Sequence, residues 1–249
     1  MGRRISAAAV LALGILASTT AIAITGGHPA LPAIAGQSAM IVSTRGAACS
    51  SSVLTQDLLL TAAHCVGPKS DYAVVVFESA GPRLIPITGI VLHPRYSASA
   101  FAKRRPTPDL ALVKLATELP SSFSPVQLAN DVIQPAPGER FLLAGFGMTD
   151  DADKKSAGKM HSVQLPAIGN TMDATGAIML RLSTGATVGA CDGDSGGPVY
   201  RDEKVVAVIG WRKLSGGRHC GTVTGATLVA PQFAWILDAA QSLGISFRP

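Results

Sequence analysis

The segment Cys191-Asp-Gly-Asp-Ser-Gly-Gly-Pro-Val-Tyr200 sets one serine, Ser195, directly behind an aspartate, with Gly193 before it and Gly196 and Gly197 just after. Glycine lets a backbone turn sharply and, lacking a Cβ, admits a ligand close to the main chain. A serine nucleophile needs such a setting, because N–H donors must be aimed at the place where negative charge develops. Its hydroxyl is a poor nucleophile at its own pKa, so it also needs a base, and the base an orienting acceptor. Two upstream segments offer them. Leu60-Thr-Ala-Ala-His64-Cys65 places a histidine behind an apolar run, and Asp109-Leu-Ala-Leu-Val-Lys-Leu115 opens an apolar segment with a carboxylate. Each residue alone has an ordinary reading: a glycine-rich surface turn, a core histidine, an aspartate capping a turn. The order His, Asp, Ser, with Cys65 beside the histidine, favours nucleophilic catalysis.

In this arrangement the chain resembles the trypsin/chymotrypsin-type serine proteases. The matching landmarks are Ile24-Thr-Gly-Gly27, Thr61-Ala-Ala-His64-Cys65, Leu92-His-Pro-Arg-Tyr96, Asp109-Leu-Ala-Leu112, Gly145-Phe-Gly147, Gly193-Asp-Ser-Gly-Gly-Pro198, Trp211 and Trp235-Ile236. They run in order over nearly the whole chain after the leader, and the 16 positions from Cys49 to Cys65 and 45 from His64 to Asp109 are close to the family's spacing. The resemblance implies an all-β fold of two six-stranded antiparallel Greek-key barrels with a C-terminal helix. It implies a catalytic triad of Ser195, His64 and Asp109, an oxyanion hole from the N–H groups of Gly193 and Ser195, and peptide hydrolysis through an acyl-enzyme. No cofactor or metal is implied. Protein or peptide substrates are, together with protein protease inhibitors as partners and a monomeric state. The other reading is a catalytically quiet member that keeps the fold as a binding or adhesion module; its usual mark is a substituted triad, and here all three residue types are intact.

A free N-terminal Ile or Val in this family folds inward and pairs with the aspartate before the serine, which points to Ile24 and Asp194. The first 23 residues have the pattern of a signal peptide: Arg3 and Arg4, an apolar run from Ile5 to Ala17, and the small residues Ala21-Ile22-Ala23. Cleavage after Ala23 exposes Ile24 directly, so export alone would generate the mature terminus; cleavage after Ala17 or Ala21 would leave a tiny prosegment. The apolar run is too short to span a bilayer, which predicts an exported protein, extracellular or periplasmic. The expected organisation is leader 1–23, N-terminal barrel 24–130, and C-terminal barrel with helix 131–249.

The primary substrate pocket departs from trypsin. Its floor, six residues before the nucleophile, is Gly189, followed by Ala190, where cleavage after Lys or Arg needs an aspartate. Burying an unpaired cation there would be costly. With Gly225 leaving room on the wall, the expectation is cleavage after small or medium apolar residues. The opposite wall reads Gly210-Trp211-Arg212 where the family has Ser-Trp-Gly. The serine hydroxyl that normally bonds the catalytic aspartate is missing, and Arg212 stands at the pocket entrance. It could point to solvent, cover the mouth, or attract an acidic residue.

Composition agrees with an exported β protein. The chain carries 21 basic and 16 acidic residues, +5 overall; without the leader the excess is +3, and no basic run is interleaved with aromatics as nucleic-acid binding would require. Four cysteines in an exported chain favour two disulfides, with three connectivities open. The family resemblance selects Cys49–Cys65 and Cys191–Cys220. Two bridges and a compact leader suggest a bacterial-looking member.

Short apolar runs between turn residues predict two sets of strands. The first is 39–43, 52–54, 58–61, 72–77, 85–92 and 110–115; the second is 140–144, 161–165, 177–182, 199–200, 205–211 and 226–230. The Ser- and Pro-rich stretch 118–137 is the expected link between barrels. Only 231–243 reads as a helix, with Pro231 in its first turn, Phe233, Ile236, Leu237 and Ala240 at helical spacing, and Gly244 at its end.

Overall fold

The structure, a computed structural model, describes residues 24, 27–67, 69–103, 105–172, 178–185, 188–214 and 219–247; the leader 1–23 lies outside them. The apolar runs form β1 (His28–Pro29), β2 (Ser38–Ser43), β3 (Ala48–Thr55), β4 (Leu58–Thr61), β5 (Tyr72–Glu78), β6 (Gly81–Leu92) and β7 (Ala111–Leu115). They continue as β8 (Gln127–Leu128), β9 (Arg140–Gly145), β10 (His161–Met172), β11 (Ile178–Leu182), β12 (Pro198–Arg201), β13 (Lys204–Lys213) and β14 (Val223–Leu228). Three helices, α1 (Pro32–Ala35), α2 (Ala98–Ala102) and α3 (Phe233–Ser242), complete the elements used below.

Strands β2-β3-β4-β7-β6-β5 close into one antiparallel barrel. Strands β9-β10-β11-β14-β13-β12 form the second, closed where β12 and β10 both pair with β9. Closure leaves no open sheet edge in either ring. Alternation explains the outward walls: in β5, Val74 and Val76 point into the core while their neighbours are less buried. Strand β4 has no polar face, because all four residues of Leu58-Leu-Leu-Thr61 are buried.

Every expected strand is present, most of them longer than the apolar pattern suggested. Strand β3 begins at Ala48 rather than near 52, because Ser50, Ser51 and Ser52 are polar by type yet fully buried. Ser51 donates its hydroxyl to the Ala39 carbonyl at 2.8 Å, which satisfies a polar group inside a barrel. Between β7 and β9 the stretch 118–137 is anchored: Leu119, Val126, Leu128 and Ile133 are buried, and β8 pairs in parallel with β13.

The two ends of the chain cross over. Strand β1 belongs in sequence to the first half but pairs with β10 of the second barrel. Helix α3 ends the second half, yet Ile236, Ala239 and Ala240 lie in the same buried cluster as Leu112 and Val113 of β7. Lys114 of β7 also donates its Nζ to the Leu243 carbonyl at 2.8 Å. Of the residues expected on the buried face of this helix, Leu237 is instead exposed, and Ala239 takes its place. The cysteines are joined as Cys49–Cys65 and Cys191–Cys220. No described helix is long and apolar enough to cross a membrane.

Candidate active site

Pairing of β4 with β7 brings Thr61 opposite Ala111, so the residues just after β4 and just before β7 emerge side by side. His64 lies on a single 3-10 turn, Ala63–Val66, after the first strand, and Asp109 immediately precedes the second. The Asp109 carboxylate is buried and takes two donors from the histidine: His64 N–H to Oδ1 at 2.9 Å, and Nδ1 to Oδ2 at 2.7 Å. The acceptor-only carboxylate assigns the Nδ1 proton and leaves Nε2 as the basic nitrogen. Phe101 of α2 stacks on the imidazole, with ring centroids 4.4 Å apart and planes 20° from parallel.

Ser195 lies on the loop between β11 and β12 and lines the same cleft as His64. Two contacts from Ser50 of β3, in the opposite barrel, hold this loop, and a third ties the same hydroxyl to the residue after β9. Ser50 N–H donates to the Ser195 carbonyl at 2.8 Å, the Ser50 hydroxyl donates to the Gly193 carbonyl at 2.9 Å, and the same hydroxyl accepts from Phe146 N–H at 2.9 Å. Thr61 in turn donates its hydroxyl to the Ser50 carbonyl. Gly193 and Gly196 have φ of 100° and 83°, a region other residues rarely enter. A Cβ at 193 would sit 2.8 Å from Gly147 Cα, and one at 196 would collide with the Thr61 hydroxyl and the Ser50 carbonyl. The N–H groups of Gly193 and Ser195 have no acceptor among the described residues.

Asp194 is fully buried behind this loop and accepts from Gly147 N–H at 2.8 Å and Cys191 N–H at 2.7 Å. Burial raises its pKa to about 7, against the lowering effect of those two N–H groups and of Arg212. Ile24 is buried in the second barrel's core cluster, with its carbonyl accepting from Gly27 N–H. In the uncut chain its nitrogen is an amide, so it carries no charge to pair with Asp194, which forms no ion pair among the described residues.

The cleft has a volume of about 630 Å³ and runs from Gly46–Cys49 past His64, Phe101 and Ser195 to Gly210, Trp211, Arg212 and Leu214. Of the residues assigned to the primary pocket, Trp211 and Arg212 line it, whereas Gly189, Ala190 and Gly225 are buried beneath it. Trp211 turns its indole over Gly225 and donates Nε1–H to the Met179 sulfur. Arg212 is engaged: its Nη2 pairs with Asp192 and its Nε donates to the His219 carbonyl at 2.8 Å. At Gly210, the missing side chain faces the Asp109 carboxylate; a Cβ there would lie 3.2 Å from Asp109 Oδ2.

Ser50, Phe101 and His219 fall outside every motif, and Asp192 falls inside the Cys191–Tyr200 segment without a role assigned to it. Ser50 sits in a Ser-Ser-Ser run whose only signal is that a strand there must bury hydroxyls. Phe101 lies on the short helix α2 and His219 in a loop, and no local pattern encodes their approach to the cleft.

Comparison with known proteins agrees with this geometry. The family model described as Trypsin matches residues 24–236. Trypsin alpha-4 of Lucilia cuprina is 25% identical over 211 residues, covering 78% of each chain. Serine protease 1 of Canis lupus familiaris is 25% identical over 178 residues, covering 66% of this chain and 69% of its own. The mouse serine protease neuropsin superposes with a TM-score of 0.66 at 20% identity, covering 86% of this chain and 98% of its own. These relatives are insect and mammalian and give no support to a bacterial affinity. Two six-stranded barrels, a cleft lined by His64 and Ser195 with Asp109 buried behind the histidine, and a family match over nearly the whole described chain lead to one assignment: this chain belongs to the trypsin family of serine proteases.

Proposed function

We propose that the protein is a secreted serine endopeptidase in which Ser195, His64 and Asp109 form the triad. The observation that carries this reading is the buried Asp109 carboxylate, 2.7 Å from Nδ1 of a histidine that shares its cleft with Ser195. The Ser195 hydroxyl attacks the scissile carbonyl carbon as Nε2 of His64 takes its proton. Asp109 keeps the other ring proton on Nδ1 and stabilises the imidazolium. The oxyanion forms against the N–H groups of Gly193 and Ser195. Collapse of the tetrahedral species breaks the C–N bond, and His64 returns its proton to the leaving amine. Water then attacks the acyl-enzyme by the same route and regenerates the serine.

The pocket residues support cleavage after small or medium apolar residues and not after Lys or Arg. Gly189 supplies no carboxylate, and Asp192 at the mouth is already engaged by Arg212 and His219. The substrates on this reading are proteins or peptides, protein inhibitors are partners, and the enzyme is a monomer working outside the cytoplasm, extracellularly or in a periplasm. Residues 1–23 act as the leader, 24–130 and 131–249 as the two halves, and a new terminus at Ile24 pairs with Asp194.

A sulfonyl fluoride or organophosphate supplies the test. Wild-type protein is expected to be labelled at Ser195 and to cut denatured protein; Ser195→Ala is expected to fold, resist labelling and lose turnover by about 10⁴-fold or more. Labelling elsewhere, or equal activity in the variant, removes Ser195 from the mechanism.

A further inference from the structure

We propose that a groove on the outer wall of the first barrel is an exosite for the substrate chain beyond the cut, taking an apolar segment of the leaving half. This deepens the endopeptidase reading above and rests on it. A barrel wall with one face in water ordinarily alternates apolar inward and polar outward. The wall made by β2, β5 and β6 departs from that rule. Ile41, Val74 and Ile85 are buried in the core, and their neighbours on the opposite face are apolar as well. Strand register sets Met40 beside Val75 and Leu84 in one outward row, and Val42 beside Ala73 and Pro86 in the next. Leu84 is 59% exposed. Contiguous apolar patches of this kind mark places where a partner docks.

One end of the patch is hollow. A groove of about 330 Å³ opens between Val42–Thr44, Asp71–Ala73, Leu84 and Pro86, and it presents almost only carbon. The polar groups around it are engaged within the protein. The Ser43 hydroxyl accepts from Ala47 N–H, the Thr44 hydroxyl accepts from Asp71 N–H, and Tyr72 donates its hydroxyl to the Gly67 carbonyl. An apolar side chain entering the groove therefore leaves water without stranding a donor or acceptor. Continuity with the cleft identifies the occupant. Ser43 and Thr44 line the groove, while Gly46 to Cys49, across the same turn between β2 and β3, line the cleft. Thr44 N–H donates to the Asp71 carbonyl at 3.0 Å, which fixes this turn to the start of β5. The acyl half of a substrate lies towards Trp211 at the far end of the cleft. The leaving half runs past Gly46–Cys49, and the groove is the next surface it meets.

The test is a set of peptides identical through the second residue after the cut. A Ser/Gly spacer of increasing length then carries either Leu-Val-Leu or Ser-Gly-Ser, and cleavage is followed at the shared bond by mass spectrometry. The mature wild type, Leu84→Glu and Leu84→Thr are compared. At the best spacing, wild type is expected to cut the apolar-tailed peptide about tenfold better in kcat/KM, mainly through KM, the size of burying one leucine-sized side chain. Leu84→Glu is expected to abolish that preference. Leu84→Thr, which keeps the strand's β propensity, should reduce it. Both variants should cut the Ser-Gly-Ser peptides like wild type. Equal cutting of the two tails by wild type at every spacing, or a full preference retained in both variants, overturns the exosite alone. So does a wild-type dimer in sedimentation that Leu84→Glu dissociates, with no tail preference, since a second copy then covers the patch. No cleavage of any peptide and no labelling of Ser195 by sulfonyl fluoride overturns the endopeptidase reading and the exosite with it.

Discussion

The hydroxyl of Ser50, in the first barrel, donates to the carbonyl of Gly193, in the second, at 2.9 Å. The same residue holds the Ser195 carbonyl through its N–H, so one serine spans the gap between the barrels where the Ser195 loop turns. The peptide units on either side of the one that carries the Ser195 N–H are therefore held by a strand of the opposite barrel.

Removing that hydroxyl strands the Gly193 carbonyl and the Phe146 N–H together. A lost buried partner costs about 1–3 kcal/mol. Ser50→Ala is expected to lower kcat about tenfold, with a smaller change in KM, since the loss falls on transition-state charge. Steady-state kinetics on an ester substrate, with Tm measured on the same preparation, checks it; a lowered Tm with full kcat would show that Ser50 serves stability alone.

Phe101 stacks on the His64 imidazole and limits the planes that ring can adopt. Such aromatic pairs contribute about 0.5–1.5 kcal/mol. Phe101→Ala is expected to reduce kcat several-fold, with Phe101→Tyr restoring most of it. If Ala and Tyr behave alike on kcat, the stack does not hold the ring.

Asp194 sets a pH dependence on the uncut chain. Its folded pKa is about 7 against an ordinary 3.8, so the folded form retains a proton that the unfolded form has already lost. The contribution of this group is therefore most favourable below about 4, declines as pH rises to about 7, and stays low above. A terminus beginning at Ile24 brings an ammonium that offsets the penalty. In a Ser195→Ala background, the protein starting at Ile24 is expected to exceed the uncut chain in stability at pH 8 by a few kcal/mol, about 1.4 for each pKa unit. The gap should shrink towards pH 4. Urea midpoints at both pH values measure it, and a gap independent of pH would contradict the proposed pair.

Gly210 lies where a hydroxyl could reach the Asp109 carboxylate, whose two oxygens take two donors, both from His64, among the described residues. Gly210→Ser is expected to fold and to raise kcat a few-fold, the worth of one added hydrogen bond to a charged acceptor. Gly210→Ala fills the same space without a donor and should not. Equal kcat in the two variants would show that Asp109 needs no third donor.

The strands were legible in the sequence for a physical reason, since apolar runs between turn residues favour them. Their closure into two barrels and the meeting of His64 with Asp109 rested on the family resemblance, because each residue alone has an ordinary reading. The pocket was read less completely. Gly189, Ala190 and Gly225 suggest an open cavity by type, but whether it is open depends on where Trp211 and the Gly221 carbonyl go, and those are long-range packing outcomes. Arg212 had three destinations in the sequence; in the structure it lines the cleft, bonded to Asp192 and to the His219 carbonyl from separate loops. Ser50 went unnoticed because its value comes from a partner 143 positions away.

The exchange of chain ends between halves works like a hasp. Helix α3 braces β7, the strand next to Asp109, while β1 grips β10 on the far side. A backbone nick within 118–137 would therefore leave two fragments clasped with the cleft still assembled. Removing α3 would instead uncover the apolar back of β7, the strand that follows Asp109.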